Sequence, residues 1–209
     1  MVQNIPNILT LGRVVLALVF LAIILYSPNA ANRSSILDIG FVLFVIAGIT
    51  DLIDGAVARK LNVASKFGRM MDPLADKVLV CGAFICFAII GEPRIFDLSE
   101  SALGLIQWGT AGIIIAREVY VTVLRHIAEA RGVNFAATTS GKIKMFVQTF
   151  AIGTVIVKMA HVQTATWGYW FTAVTLAATV VITVVSGVLA TRRSGWQKAV
   201  KLQDACRDC

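Results

Sequence analysis

The chain has 209 residues, 57% of them hydrophobic and 15% charged, with a formal net charge of +7. That balance is too apolar for an ordinary water-soluble domain, and the apolar residues fall into runs near the ~20 residues that carry a helix across a hydrocarbon core roughly 30 Å thick. One compact membrane domain is expected, and the basic excess belongs to a membrane face rather than to a nucleic-acid-binding surface.

In chain order the runs predict six spanning helices, at about 8–27, 36–59, 72–91, 103–130, 143–161 and 166–191,. The expected fold is all-α and polytopic, with a membrane domain over 1–191 and a basic tail over 192–209. No Lys or Arg occurs between Met1 and Gly12, and no A-x-A site follows the first run, so it reads as a spanning helix rather than a cleaved signal,. The fourth run is long enough to project past the bilayer or tilt. Lys158, near the end of the fifth, reads as a snorkelling side chain. Cys81 and Cys86 lie in an apolar run and Cys206 and Cys209 in the tail, which makes no disulfide framework; two terminal thiols alone make a poor zinc site,.

Lys60, Lys66 and Arg69 follow the second run, Arg131, Lys142 and Lys144 the fourth, and Arg192, Arg193, Lys198, Lys201 and Arg207 the sixth. The opposite loops hold Arg33 and Arg94 beside Glu92, Asp97 and Glu100. The positive-inside tendency therefore places both termini and the two basic loops in the cytoplasm.

The chemistry-bearing residues sit around the first basic loop. The second run ends Asp51-Leu52-Ile53-Asp54-Gly55-Ala56-Val57-Ala58-Arg59, and after eight residues the chain continues from Gly68 to Asp72 and Asp76. Asp51 and Asp54 are three apart and Asp72 and Asp76 four apart, so each pair shares a helix face, and adjacent antiparallel helices would turn all four toward one point. Gly68 reads as a turn and Pro73 as part of the first turn of the third helix. Four close carboxylates near a membrane do not all stay ionised without compensation. Two divalent cations supply it, and an all-oxygen donor set selects hard ions such as Mg²⁺ or Mn²⁺, leaving coordination positions for phosphate oxygens.

This complete spacing resembles the signature of the CDP-alcohol phosphatidyltransferases. The resemblance implies a homodimer of six-helix subunits in which an acceptor hydroxyl attacks the phosphate linking a lipid to CMP. It implies that Asp51 and Asp72 each touch both metals, that Asp54 binds one, and that Asp76 binds the other and acts as general base. Asn7, Gly55, Arg59 and Ser65 take positions that bind the CDP-lipid. Similarity continues through Ile5–Arg13, Asp72–Val80, Ala116–Arg125 and Gly141–Lys144. There the chain is similar to the branch that joins CDP-diacylglycerol to glycerol 3-phosphate, an enzyme of the bacterial inner membrane; Met145 stands where that pattern has Thr.

The residues themselves fit an anionic acceptor. Arg117 and Arg125 are eight apart, near one helical face, and Lys142 and Lys144 open the next helix, a set able to clamp a phosphate monoester. The plainer readings are an ion pair of Arg117 with Glu118 or with a carboxylate on another helix, and ordinary positive-inside charge for the lysines. Phosphatidylglycerol (a cardiolipin synthase) and an inositol phosphate (a phosphoinositol-type synthase) are the alternative acceptors. A divalent-cation transporter, which also places carboxylates in a membrane, is the rival of a different class.

Overall fold

The computed structural model describes residues 5–61, 66–96, 98–130 and 139–191, of which 5–10, 51–61, 66–75, 129 and 139–140 are described by their helical backbone alone. Six α-helices and one short 3₁₀ turn are formed, and no strand occurs among the described residues. They are α1 (Ile5–Tyr26), α2 (Arg33–Leu61), α3 (Lys66–Ile89), α4 (Glu100–Ala130), α5 (Thr139–His161) and α6 (Thr166–Thr191). All six coincide with the predicted runs, with ends displaced by a few residues.

The largest displacement is informative. Helix α3 starts at Lys66 rather than at 72, so Gly68 and Pro73 lie within it and no acidic residue occupies its first turn. A proline at that depth removes an N–H that the helix would use, but the helix-forming residues around it carry the backbone through. The helix-start reading of Pro73 and the turn reading of Gly68 are thereby corrected.

Packing closes the helices into a ring in the order α1, α2, α5, α6, α4, α3 and back to α1, with α3 also touching α5 across it. Among the described residues α2 and α3 are therefore not principal neighbours; α1 lies against both. Phe20 of α1 and Phe44 of α2 meet with ring centroids 5.4 Å apart, beside the buried Ala17, Ile24, Ile152 and Ile156. At one end of the bundle Ser34 Oγ donates to the Ala160 carbonyl (2.8 Å), Arg33 pairs with Glu92 (2.8 Å) and His161 meets Asp38 (2.8 Å).

The side-chain distribution runs opposite to that of a soluble protein. Helix α6 buries Gly168, Thr172, Thr175, Thr179, Thr183, Ser186 and Gly187 and exposes Val174, Val181, Val184, Val185, Val188 and Leu189. Small residues inside let helices approach closely where no hydrophobic effect drives them together, while the large apolar groups face the lipid. Three of the buried hydroxyls are satisfied within the helix: Thr175 donates to the Phe171 carbonyl (2.8 Å), Thr179 to that of Thr175 (2.7 Å) and Ser186 to that of Thr183 (2.8 Å),. Four segments among the described residues are long and apolar enough to cross a membrane, Leu11–Asn29, Arg33–Thr50, Gly141–His161 and Thr166–Thr191.

Close approach also sets the α1–α3 contact. A Cβ on Gly82 would stand 2.6 Å from Leu21 Cδ1. Gly82→Ile is expected to destabilise the bundle by about 1–3 kcal/mol through overpacking. Thermal denaturation in detergent should show a clear loss for it and little for Gly112→Ile, whose Cβ would meet nothing within 4 Å.

Candidate active site

The predicted site residues gather at one end of the bundle, where α2, α4 and α6 finish and α3 and α5 begin. Asp51, Asp54, Gly55 and Arg59 lie in the last turns of α2, Asp72 and Asp76 in α3, and Asn7 in the first turn of α1. Ser65 is outside the described residues. Helix register keeps each Asp pair on a common face. The side chains of Asp51, Asp54 and Asp72 are also outside the described part, and among the described side chains no three metal-binding groups converge. Asp76 is described and half-buried.

Next to Asp76 in the chain, a polar path starts that leads across the bundle. The next residue, Lys77, donates from Nζ to Thr122 Oγ1 of α4 at 2.6 Å. Thr122 in turn donates to the Glu118 carbonyl at 2.5 Å, one turn earlier on the same helix. The Glu118 carboxylate receives two cations on a single oxygen, Oε1: Lys144 Nζ from α5, and Arg117 Nη1 at 3.1 Å. One turn beyond Lys144, Gln148 donates to Thr183 Oγ1 of α6 at 3.1 Å. Four helices, α3 to α6, are tied through these contacts.

Burial explains why the pairing matters. Glu118 is 9% exposed and Lys144 5%, and an ionised group at such a position costs several kcal/mol unless it is paired. The stem of Arg117 passes along Gly187 of α6, where a Cβ would come within 3.3 Å of Arg117 Cγ; the absent side chain makes room for it. One carboxylate set against Arg117 and Lys144 leaves an excess of one positive charge, with Lys77 beyond it. Such a cluster suits an anion.

The four predicted anion-binding residues thus divide. Arg117 and Lys144 meet on one carboxylate, whereas Arg125 and Lys142 are exposed, near the end of α4 and the start of α5. The pairing of Arg117 with Glu118 is present, and it coexists with a second cation on the same oxygen. Glu118, Lys77 and Thr122 were not among the predicted site residues. The available signal was Glu118 itself, a carboxylate deep in an apolar run and as costly there as Arg117. Arg13 of α1 is another, a buried charge on the helix that lies between α2 and α3.

Comparison with known proteins agrees with the sequence signature. The probable phosphatidylglycerophosphate synthase of Mycobacterium tuberculosis (strain H37Rv) is 34% identical over 190 residues, covering 90% of this chain and 79% of that protein. The CDP-diacylglycerol–glycerol-3-phosphate 3-phosphatidyltransferase of Bacillus subtilis is 35% identical over 192 residues, with 88% and 91% covered. The protein of the same name from Salmonella choleraesuis is 35% identical over 153 residues, with 71% and 74% covered. The sequence profile described as CDP-alcohol phosphatidyltransferase matches residues 3–185, nearly the whole of the described bundle. With the signature, the bundle and these relatives in agreement, the chain belongs to the CDP-alcohol phosphatidyltransferase family.

Proposed function

We propose that this enzyme transfers the phosphatidyl group of CDP-diacylglycerol to glycerol 3-phosphate, releasing CMP and forming phosphatidylglycerophosphate. The observation that carries the choice of acceptor is the cationic cluster of Arg117 and Lys144 around the buried Glu118, with Lys77, next in the chain to Asp76, bonded to Thr122 one turn further along α4. It suits the phosphate monoester of the acceptor, whose primary hydroxyl is then turned toward Asp76. The names of the relatives point to the same reaction.

In this mechanism Asp76 takes the proton from the acceptor hydroxyl. That oxygen forms a bond to the phosphorus bearing diacylglycerol, and the bond from the same phosphorus to the CMP oxygen breaks. Arg117 and Lys144 orient the acceptor, with Arg125 and Lys142 drawing it in from the surface. Asn7, Gly55, Arg59 and Ser65 bind the CDP-lipid. Asp51, Asp54, Asp72 and Asp76 are an oxygen-only donor set that fits hard divalent ions, and two of Mg²⁺ or Mn²⁺ held there would neutralise the diphosphate and the departing CMP.

All six helices span the membrane in this reading. Although α3 and α4 carry charges near their ends, α4 with 31 residues is long enough to cross a ~30 Å core and extend beyond it. Residues 1–191 form the catalytic domain and 192–209 a basic cytoplasmic tail. The termini and the site face the cytoplasm of a bacterial inner membrane, and the chain acts as a homodimer.

Labelled glycerol 3-phosphate tests the proposal: its label should enter a lipid product only with CDP-diacylglycerol and a divalent ion, and chelation should stop it. Lys142→Ala and Arg125→Ala are expected to raise the KM for glycerol 3-phosphate about tenfold or more, the worth of one charged hydrogen bond, with kcat less affected. An unchanged acceptor KM in both would remove them from the acceptor path.

A further inference from the structure

At the opposite end of the bundle from the carboxylates, a groove of about 450 Å³ runs between α2, α5 and α6. Its walls are almost wholly apolar, formed by Phe41, Phe44, Phe150, Gly153, Val157 and Phe171 among others, and Lys158 lies at its end beside Trp167 and Gly168. Lys158 does not snorkel into water as its position suggested; it is 4% exposed, with Nζ 5.0 Å from the centre of the Tyr169 ring. The reaction proposed above makes no use of it.

Depth identifies what the groove fits. Along α5 it extends from Thr149 to Lys158, a span of ~14 Å at 1.5 Å rise per residue. That is about half of a roughly 30 Å hydrocarbon core, the depth of one leaflet. The exposed Trp167, which lines the groove with Lys158, marks the level at which aromatic residues sit among headgroups. A helix of a second copy would call for a seam through both leaflets, whereas a single lipid chain needs one.

Charge identifies the headgroup end. Among the described charged groups near Lys158 are Glu92, Arg33 and Arg94, three cations with Lys158 against one carboxylate, while Asp38 at the same end is paired with His161; Asp97 is outside the described residues. Both oxygens of Glu92 are engaged, Oε1 by Arg33 at 2.8 Å and Oε2 by the Arg94 backbone N–H at 2.9 Å.

We infer that this groove is a phospholipid site distinct from the catalytic centre, with one acyl chain between α2, α5 and α6 and the phosphate of an anionic headgroup held at Lys158. The inference does not depend on the acceptor proposed above, because the site lies in the other leaflet.

Native mass spectrometry of the purified full chain titrated with phosphatidylglycerol tests it. Lys158→Gln is expected to lower retention at one site by roughly tenfold, the loss of one charge-assisted hydrogen bond, and Lys158→Arg to restore it. Thr154→Trp, which fills the groove, is expected to abolish that site, while CMP release by all three variants stays within twofold of the unmodified protein and reports that they fold. Equal retention by the unmodified protein, Lys158→Gln and Thr154→Trp overturns the inference. So does a change from dimer to monomer with Thr154→Trp at undiminished lipid retention, which would assign the groove to a second copy.

Discussion

Asp76→Asn is expected to lower kcat for CMP release by about 10²–10⁴-fold, the range associated with loss of a positioned general base, while CDP-diacylglycerol still binds. Asn keeps an oxygen that can face a cation but cannot accept the acceptor's proton. The neighbourhood of Asp76 gives this substitution its meaning. It lies immediately before Lys77, whose ammonium is bonded to Thr122, on the path to the Arg117–Glu118–Lys144 cluster. Steady-state turnover together with equilibrium binding of the CDP-lipid separates the roles. Lost turnover with retained binding supports the base, whereas loss of both in equal measure assigns Asp76 to holding the donor lipid alone. Full turnover would remove it from the chemistry.

Glu118→Ala is the second substitution with a large expected effect, and the effect is on stability as well as on acceptor use. It leaves Arg117 and the buried Lys144 without the carboxylate that both occupy, a change that costs roughly 3–5 kcal/mol when one partner of a buried ion pair is removed. Thermal denaturation in detergent should show it. Replacing both partners, as in Glu118→Leu with Lys144→Met, is expected to recover much of that stability, since apolar groups of similar volume replace a buried pair at little net cost. The double variant should nevertheless keep a high KM for glycerol 3-phosphate, because a cation that holds the phosphate is gone. Recovery of both stability and acceptor KM would show that the cluster is scaffold only.

The helical bundle was legible because each predicted apolar run became one helix, four of them holding segments long and apolar enough to cross a bilayer among the described residues,. Its ends were harder to read. Gly68 and Pro73 look like a turn and a helix start by local rules, yet α3 runs through both from Lys66. The order of packing was not legible either. Among the described residues α1 lies against both α2 and α3, a relation between distant segments that spacing along one helix cannot express.

The candidate site divides in the same way. The Asp51–Asp54 and Asp72–Asp76 spacing is a local pattern and stands out in the sequence, as does the cost of Arg117 inside an apolar run. Glu118 gains its role from Lys144, 26 residues away, and Thr122 from Lys77, 45 residues away. Those partners are set by how α3, α4 and α5 pack. Lys158 shows the reverse error: near a helix end a lysine is expected to reach water, but Tyr169 and the groove walls enclose it.

The acceptor is the central claim, and parallel CMP-release assays test it most directly. Purified protein with CDP-diacylglycerol and Mg²⁺ or Mn²⁺ would be offered glycerol 3-phosphate, phosphatidylglycerol and an inositol phosphate separately. Release with glycerol 3-phosphate alone, and its loss in Asp76→Asn, is the predicted result. Release with either of the other acceptors and none with glycerol 3-phosphate would contradict the assignment of the Arg117–Lys144 cluster to that substrate.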